Sequence, residues 1–100
     1  MDKDTPAYDL VWIQYKLSAG RYRIERIALQ GALALGFDEQ DIVDCVCGLC
    51  AEDFHKSMES NLRPGLWQDV YKSVYDGVRV YVKLQVDPSS DAVVIQFKQK

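Results

Sequence analysis

The dipeptide Asp76-Gly77 constrains the fold of this chain more than any other feature of its sequence. It separates two runs, 66–75 and 78–86, and aspartate followed by glycine is a pair that two-residue hairpin turns prefer. An alternation of period two, which is typical of a strand with one buried and one exposed face, marks the second run. Its apolar residues are Val78, Val80, Val82, Leu84 and Val86, and its polar residues are Arg79, Tyr81, Lys83 and Gln85. The sequence therefore predicts an antiparallel hairpin.

A two-residue turn also fixes which residues of this hairpin face each other. Tyr75 then pairs with Val78, and Tyr71 pairs with Val82, on the apolar face. Asp69 falls on the same face, where a buried carboxylate needs hydrogen-bond partners that the sequence does not identify.

A third strand is predicted after the four-residue loop Pro88–Asp91. The loop length pairs Tyr81 with Lys98, whose Cβ atoms should lie about 5 Å apart. On the apolar face the same register pairs Val82 with Phe97, Leu84 with Ile95 and Val86 with Val93. The residues expected to share the polar face of the three strands are Gln68, Lys72, Tyr81, Lys83, Gln96 and Lys98.

The first half of the chain has helical patterns and the second half has strand patterns. The predicted helices run from Asp9 to Gly20, from about Glu25 to Leu35, and from Asp38 to about Cys47. The predicted strands are Phe54–Met58, Leu66–Tyr75, Val78–Val86 and Ala92–Lys98, with a short extended piece at Arg21–Ile24. Helices followed by strands predict an α+β fold, in which the helices pack on one face of a mostly antiparallel sheet.

Length, composition and charge limit the class of protein. One hundred residues predict a single domain, 1–100, with one modest core. The polar N-terminus does not resemble a signal peptide, and no apolar run reaches the ~18 residues of a membrane span, so we expect a cytoplasmic protein. The net charge of −3 argues against indiscriminate nucleic-acid binding. Residues 53–100, however, hold seven basic and six acidic side chains, which leaves room for a local basic site.

Three closely spaced cysteines raise the question of a metal. A structural zinc site takes four ligands. The only histidine that could act as a ligand beside Cys45, Cys47 and Cys50 is His55. On a helix, Cys45 and Cys47 would point roughly 200° apart. The pattern favours reduced thiols over zinc, and we expect neither a metal nor another cofactor.

The polar face of the predicted sheet has two interpretations. Alternating polar residues usually form an ordinary solvated surface. Alternatively, the face binds an anionic, aromatic ligand such as RNA, since the phenol of Tyr81 lies among lysines that no acid on this face of the three long strands balances.

Four segments resemble, in their order and spacing, the MqsR family of bacterial toxins. They are DFHKSM (53–58), LWQDVY (66–71), VYVKLQV (80–86) and VVIQFKQK (93–100). The resemblance implies a RelE-like fold and a toxin of a type II toxin–antitoxin system. The implied activity is ribosome-independent, metal-independent cleavage of single-stranded mRNA at GC-containing sites. The implied partner is an MqsA-type antitoxin with a zinc site and a helix-turn-helix.

The resemblance also assigns roles to individual residues. The implied catalytic residues are Lys56, Gln68, Tyr81 and Lys98. Lys56 would act as base or acid and Lys98 would stabilise phosphate charge, although these two roles could be exchanged. Tyr81 would position phosphate or donate a proton, and Gln68 would orient the substrate. The candidate substrate-binding residues are His55, Lys72 and Lys83, and His55 stands where the resemblance leads us to expect tyrosine.

Other interpretations remain open at this point. The same fold could be an inactive RNA- or protein-binding module, or its helical half could be an interface with Trp12, Ile13 and Tyr15. Without the resemblance, Lys56 is simply a lysine that protects an edge strand from aggregation, and His55 is a half-exposed strand histidine.

Overall fold

The computed structural model describes residues 2–100 and has the predicted α+β architecture, with three helices packed on one face of a six-stranded sheet. The helices are α1 (Leu10–Ser18), α2 (Arg26–Ala34) and α3 (Glu39–Cys47). The strands are β1 (Asp2–Lys3), β2 (Tyr22–Ile24), β3 (Phe54–Glu59), β4 (Trp67–Tyr75), β5 (Val78–Val86) and β6 (Ala92–Gln99). Their order in the sheet is β1-β3-β4-β5-β6-β2, and every neighbouring pair is antiparallel except β6 and β2.

Two helices begin at the aspartates that the sequence indicated. The carboxylate of Asp9 accepts a hydrogen bond from the N–H of Val11. At the start of α3, the Asp41 N–H donates to the Asp38 side chain, and the Asp38 N–H donates to the Asp41 side chain, each at 2.9 Å. This reciprocal cap satisfies two N–H groups that the first turn of a helix otherwise leaves without partners.

The central hairpin has the predicted register. Tyr75 pairs with Val78 and Tyr71 pairs with Val82. Asp76 and Gly77 have φ values of 48° and 79°, the two positive values that a type I′ turn requires. The register confirms which residues of β4 and β5 face away from the helices.

The register of β6 agrees with the prediction in the C-terminal half of the strand and differs from it in the N-terminal half. Tyr81 faces Lys98, and the next pairs keep that register as far as Lys83 and Gln96. Beyond them Ile95 is an extra, unpaired residue, so that Leu84 faces Val94, Gln85 faces Val93 and Val86 faces Ala92. The predicted pairs Leu84–Ile95 and Val86–Val93 are therefore wrong, because a β-bulge shifts the ladder by one residue.

The core lies between the helices and the sheet, and α2 approaches β6 most closely. Ala28 and Ala32 of α2 are fully buried. Between them, a Cβ atom added to Gly31 would lie 1.8 Å from the carbonyl oxygen of Phe97. Glycine inside this helix therefore permits a backbone-to-backbone approach that any side chain would prevent.

Asp69 finds its partners in the N-terminal segment. Its two carboxylate oxygens accept hydrogen bonds from the N–H groups of Ala7 and Tyr8, each at 3.0 Å, and Asp69 itself is fully buried. The Tyr8 hydroxyl also donates to the carbonyl of Trp67 at 2.7 Å. These bonds tie the segment before α1 to β4, which explains an acid on the core face.

All three cysteines are free thiols, and two of them, Cys45 and Cys50, have little nucleophilic character. Burial raises the pKa of Cys45 to about 12, and hydrogen bonding to Asp53 raises the pKa of Cys50 to about 11. Within residues 2–100, no three His, Cys, Asp or Glu side chains are placed to hold a metal ion. No helix in the same range is long and apolar enough to cross a membrane.

Candidate active site on the polar face of the sheet

The sheet face opposite the helices carries a central row of four residues, one from each of four strands. Lys56 of β3 pairs with Val70 of β4, which pairs with Lys83 of β5, which pairs with Gln96 of β6. Val70 is fully buried although it faces away from the helices. The methylene stems of the flanking lysines can cover this valine while their ammonium groups reach solvent. The row therefore places two cations over an apolar floor.

A bulge in β3 turns Lys56 onto this face. In a regular strand, residues two apart point to the same side. Phe54, however, stacks edge-on against Tyr71 in the core at 5.6 Å between ring centroids, whereas Lys56 pairs with Val70 on the polar face. The extra residue between them is His55. Because bulges re-aim side chains in this way and are frequent near active sites, the position of Lys56 is a built feature of the fold.

A second bulge, at Ile95, borders the other end of the same row. It lies next to Gln96 on β6, as His55 lies next to Lys56 on β3. The central row spans β3, β4, β5 and β6, and the two outer strands of these four, β3 and β6, thus each have a bulge beside it.

The next row towards the hairpin turn contains the predicted pair. Lys72, Tyr81 and Lys98 pair across β4, β5 and β6, and the Lys98 Nζ lies 4.9 Å from the centroid of the Tyr81 ring. An ammonium group at this distance over an aromatic ring is attracted by the ring's electrons. Tyr81 and Lys98 are thus cross-strand neighbours on the exposed side of the sheet, as predicted. Lys72 is half-buried and also lines a small groove of about 250 Å³ with Arg79 and Lys100.

The lysines act on one another electrostatically. Burial and the positive charges of Lys98 and Lys56 lower the pKa of Lys83 below its ordinary value. Burial raises the pKa of the Tyr81 hydroxyl, and the charge of Lys56 opposes this shift. The surroundings of Lys83 therefore disfavour its charged form.

Asp2 is a site residue that the sequence did not reveal. Its carboxylate lies 3.2 Å from the Lys56 Nζ, although more than half of the Asp2 side chain is exposed. β1 contains only two residues, so no alternation could have placed it beside β3. An exposed ion pair of this kind stabilises a protein by at most about 1 kcal/mol, and an anionic ligand can displace Asp2 from Lys56.

His55 lies at the edge of the cluster and is exposed. Loss of hydration, followed by the charges of Lys72, Lys56 and Lys100, lowers its pKa below 6.5. These surroundings therefore disfavour the charged imidazolium.

A third row, on the other side of the central one, contains an amide pair. The Gln68 Nε2 donates a hydrogen bond to the Gln85 Oε1 at 3.0 Å. Gln68 is half-buried and Gln85 is buried. Gln68 pairs with Met58 of β3, so it lies two residues along β4 from Val70.

The structure thus brings the predicted site residues to one face of the sheet. Six of them lie in three adjacent rows, and His55 lies at the β3 bulge; the seven are His55, Lys56, Gln68, Lys72, Tyr81, Lys83 and Lys98. Lysines, a tyrosine and an amide can bind a phosphodiester, neutralise its charge and transfer protons.

Two comparisons with known proteins give matches over nearly the whole chain. Residues 5–99 match the model of a family described as motility quorum-sensing regulator, toxin of MqsA. The chain is 35% identical over 100 residues to the mRNA interferase toxin MqsR of Escherichia coli (strain K12), and the similarity covers the full length of both chains.

Proposed function

This chain belongs to the MqsR family of toxins, and from that premise we propose that it is an mRNA interferase, the toxin of a type II toxin–antitoxin system. It cleaves single-stranded mRNA in the cytoplasm at GC-containing sites, without the ribosome and without a metal ion. The observation that carries the proposal is the cluster of Lys56, Lys83 and Lys98 around Tyr81 on the exposed face of the sheet.

The reaction class follows from the side chains of this cluster. In metal-independent cleavage, the 2′-oxygen of a ribose attacks the adjacent phosphorus, and the bond from phosphorus to the 5′-oxygen breaks. A base removes the 2′-proton, cations neutralise the charge that develops on the phosphorane, and an acid protonates the departing 5′-oxygen. The products are a 2′,3′-cyclic phosphate and a 5′-hydroxyl. Amines and a phenol can perform all three tasks.

The roles that we propose for individual residues are those that the family resemblance implies, and the positions of the side chains support them. Lys56 transfers a proton, and Lys98, beside the Tyr81 ring, stabilises the phosphate. Tyr81 positions the phosphate or donates a proton. Gln68 lies in the third row, across the central row from Tyr81, and orients the RNA strand. Lys83 is a phosphate ligand at the centre of the face, where it pairs with Val70 and Gln96. His55 and Lys72 contact the substrate at the margin.

Three substitutions test these roles. Lys56→Ala, Tyr81→Phe and Lys98→Ala remove functional groups from the face opposite the core, so each variant should fold. Each should slow the cleavage of a short GC-containing RNA in single-turnover assays. We expect a loss on the order of 10²-fold or more for the lysine that transfers the proton.

Lys72→Ala is the matched control, since Lys72 shares the face but is assigned no proton transfer. It should mainly weaken RNA binding and reduce its dependence on salt. If Lys56→Ala and Lys98→Ala both cleave at the rate of the parent, the active site lies elsewhere. If the parent binds RNA without cleaving it, the chain is a binding module.

Independence from metal is tested by chelation. Cleavage by the purified chain should be unchanged in EDTA, because the cations that neutralise the phosphorane are lysines. Loss of cleavage in EDTA that a divalent ion restores would contradict this mechanism.

The antitoxin is the expected protein partner. We propose an MqsA-type protein that binds zinc and carries a helix-turn-helix, since the matched family is described as the toxin of MqsA. Co-expression with such a protein, encoded in an adjacent reading frame, should yield a stable complex that co-purifies and should relieve toxicity.

A further inference from the structure

A groove of about 740 Å³ opens beside the third row of the polar face, and Gln68 is the one residue with a catalytic assignment that lines it. Its walls come from three separate segments: β2 with the start of α2, the loop 60–66, and the loop after β5. Its floor includes the amides of Gln68 and Gln85. The volume lies within the range of ~300–1,000 Å³ that is usual for sites of small organic groups.

The floor of the groove can read the edge of a nucleobase. Gln85 is buried, and its Oε1 accepts a hydrogen bond from the Nε2 of Gln68 at 3.0 Å. This bond fixes the orientation of the Gln68 amide. Among residues 2–100, no further hydrogen bond is formed by the Gln68 Oε1 or by the Gln85 Nε2, so an acceptor and donors remain. Paired acceptors and donors are the groups that amides present to base edges.

The walls of the groove supply cations. Arg23 is neutralised by Asp87, at 2.7 Å, and by Glu25, at 3.9 Å. Arg26 and Arg63 also line the groove, and neither forms an ion pair within residues 2–100. Both are exposed. Two guanidinium groups are therefore available to a phosphate, which arginine can bind with paired hydrogen bonds.

The loop that carries Arg63 is held in place by its own hydrogen bonds. The Ser60 N–H donates to the carbonyl of Leu66 at 2.8 Å, and the Gly65 N–H donates to the Glu59 carboxylate at 2.6 Å. Leu62, at the rim of the groove, is 92% exposed and offers an apolar surface on which a base can rest.

We propose that this groove is a nucleotide subsite for the RNA strand, in which Gln68, held by Gln85, reads one base and Arg26 and Arg63 each bind one of the neighbouring phosphates. Gln68 belongs both to the groove and to the catalytic face. It lies two residues along β4 from the central row, a distance of about 6.6 Å. A strand bound across the lysines therefore continues into the groove. This inference rests on the proposed function, and Gln85 acts in it as a positioning residue.

The test measures binding separately from cleavage. The probe is a short GC-containing RNA with a 2′-deoxy sugar at the scissile nucleotide, which the 2′-oxygen mechanism cannot cleave. Arg26→Gln and Arg63→Gln should each weaken its binding and reduce the slope of log K against log salt by about 0.7, the loss of one phosphate contact on a single strand. Arg21→Gln is the matched control, because Arg21 is an exposed arginine outside the groove. It should leave affinity and slope unchanged.

Gln85→Met, of similar size, tests the base reading. It should reduce discrimination between probes that differ at one base on the order of tenfold or more, while total affinity changes less. A structural role alone would weaken all probes equally, and that result would overturn the base reading. If the parent cleaves ordinary RNA but the groove variants bind every probe as the parent does, the subsite is refuted and the proposed function stands. If the parent neither binds nor cleaves RNA, both are refuted.

Discussion

Replacing Gly31 by alanine tests the packing that positions the candidate site. A Cβ atom at this position would lie 1.8 Å from the Phe97 carbonyl oxygen and 3.0 Å from its carbonyl carbon. The first distance is about 1.6 Å short of the 3.4 Å at which ordinary contact begins. The obstacle is backbone, so no side-chain rotation can relieve it, and α2 must move away from β6.

The cost of that movement follows from two opposing effects. Overpacking in a core costs about 1–3 kcal/mol, occasionally more, and a backbone clash belongs at the top of that range. Alanine also favours the helix over glycine by about 1 kcal/mol. We therefore expect Gly31→Ala to lower the free energy of unfolding by about 2 kcal/mol or more. In a domain of this size that loss lowers the melting temperature by about 8–16 °C.

Urea unfolding followed by circular dichroism measures this change, and Gly48→Ala is the matched control. Gly48 has a φ of −93°, and a Cβ there would meet the Asp44 carbonyl oxygen at an ordinary 3.4 Å. The control should be neutral or more stable by up to about 1 kcal/mol, since alanine restricts the unfolded chain. Equal stability of Gly31→Ala and the parent would refute the close approach of α2 to β6. Because Lys98 follows Phe97, the same substitution should also slow RNA cleavage.

Two further predictions concern protonation. The affinity of the parent for RNA should fall as pH rises towards the lowered pKa of Lys83, because the charged amine is lost. Lys83→Arg should move this fall to higher pH in binding titrations. An unchanged pH profile would argue against Lys83 as a phosphate ligand. The sole histidine, His55, should titrate below pH 6.5 by NMR, and its pKa should rise in Lys72→Ala. Since the unfolded chain binds that proton at higher pH than the folded one, His55 favours the folded state above about pH 6.5 and loses this contribution as pH falls. A midpoint above 6.5 would contradict this electrostatic account.

The sequence predicted the parts of the fold where two local signals agree. The β4–β5 register followed from the Asp76-Gly77 turn together with the alternation on both sides of it, and it placed Lys72 beside Tyr81. The β6 register failed beyond Lys83 because residues 93–95 are an unbroken apolar run, VVI, in which nothing marks Ile95 as an extra residue.

The pattern of apolar and polar residues could not predict contacts between residues that are far apart in the chain. The carboxylate of Asp69 is satisfied by backbone N–H groups 61 and 62 residues away, and backbone groups leave no mark in a sequence. Asp2 was missed for a similar reason, since a two-residue strand has no period. The groove beside Gln68 is built from three segments that only the folded chain brings together.

The bulges at His55 and Ile95 have a consequence for the comparison of related chains. Each is one extra residue in a ladder of paired residues. Removal of His55, for example, would leave Phe54 in the core and Lys56 on the polar face. A one-residue alignment gap at either position therefore changes the curvature of the sheet but leaves Lys56, Tyr81 and Lys98 on the candidate catalytic face. A gap of the same size within β4 or β5 would exchange the inner and outer faces of every residue on one side of it. For this fold, the place of a gap therefore decides whether the two faces of the sheet are preserved.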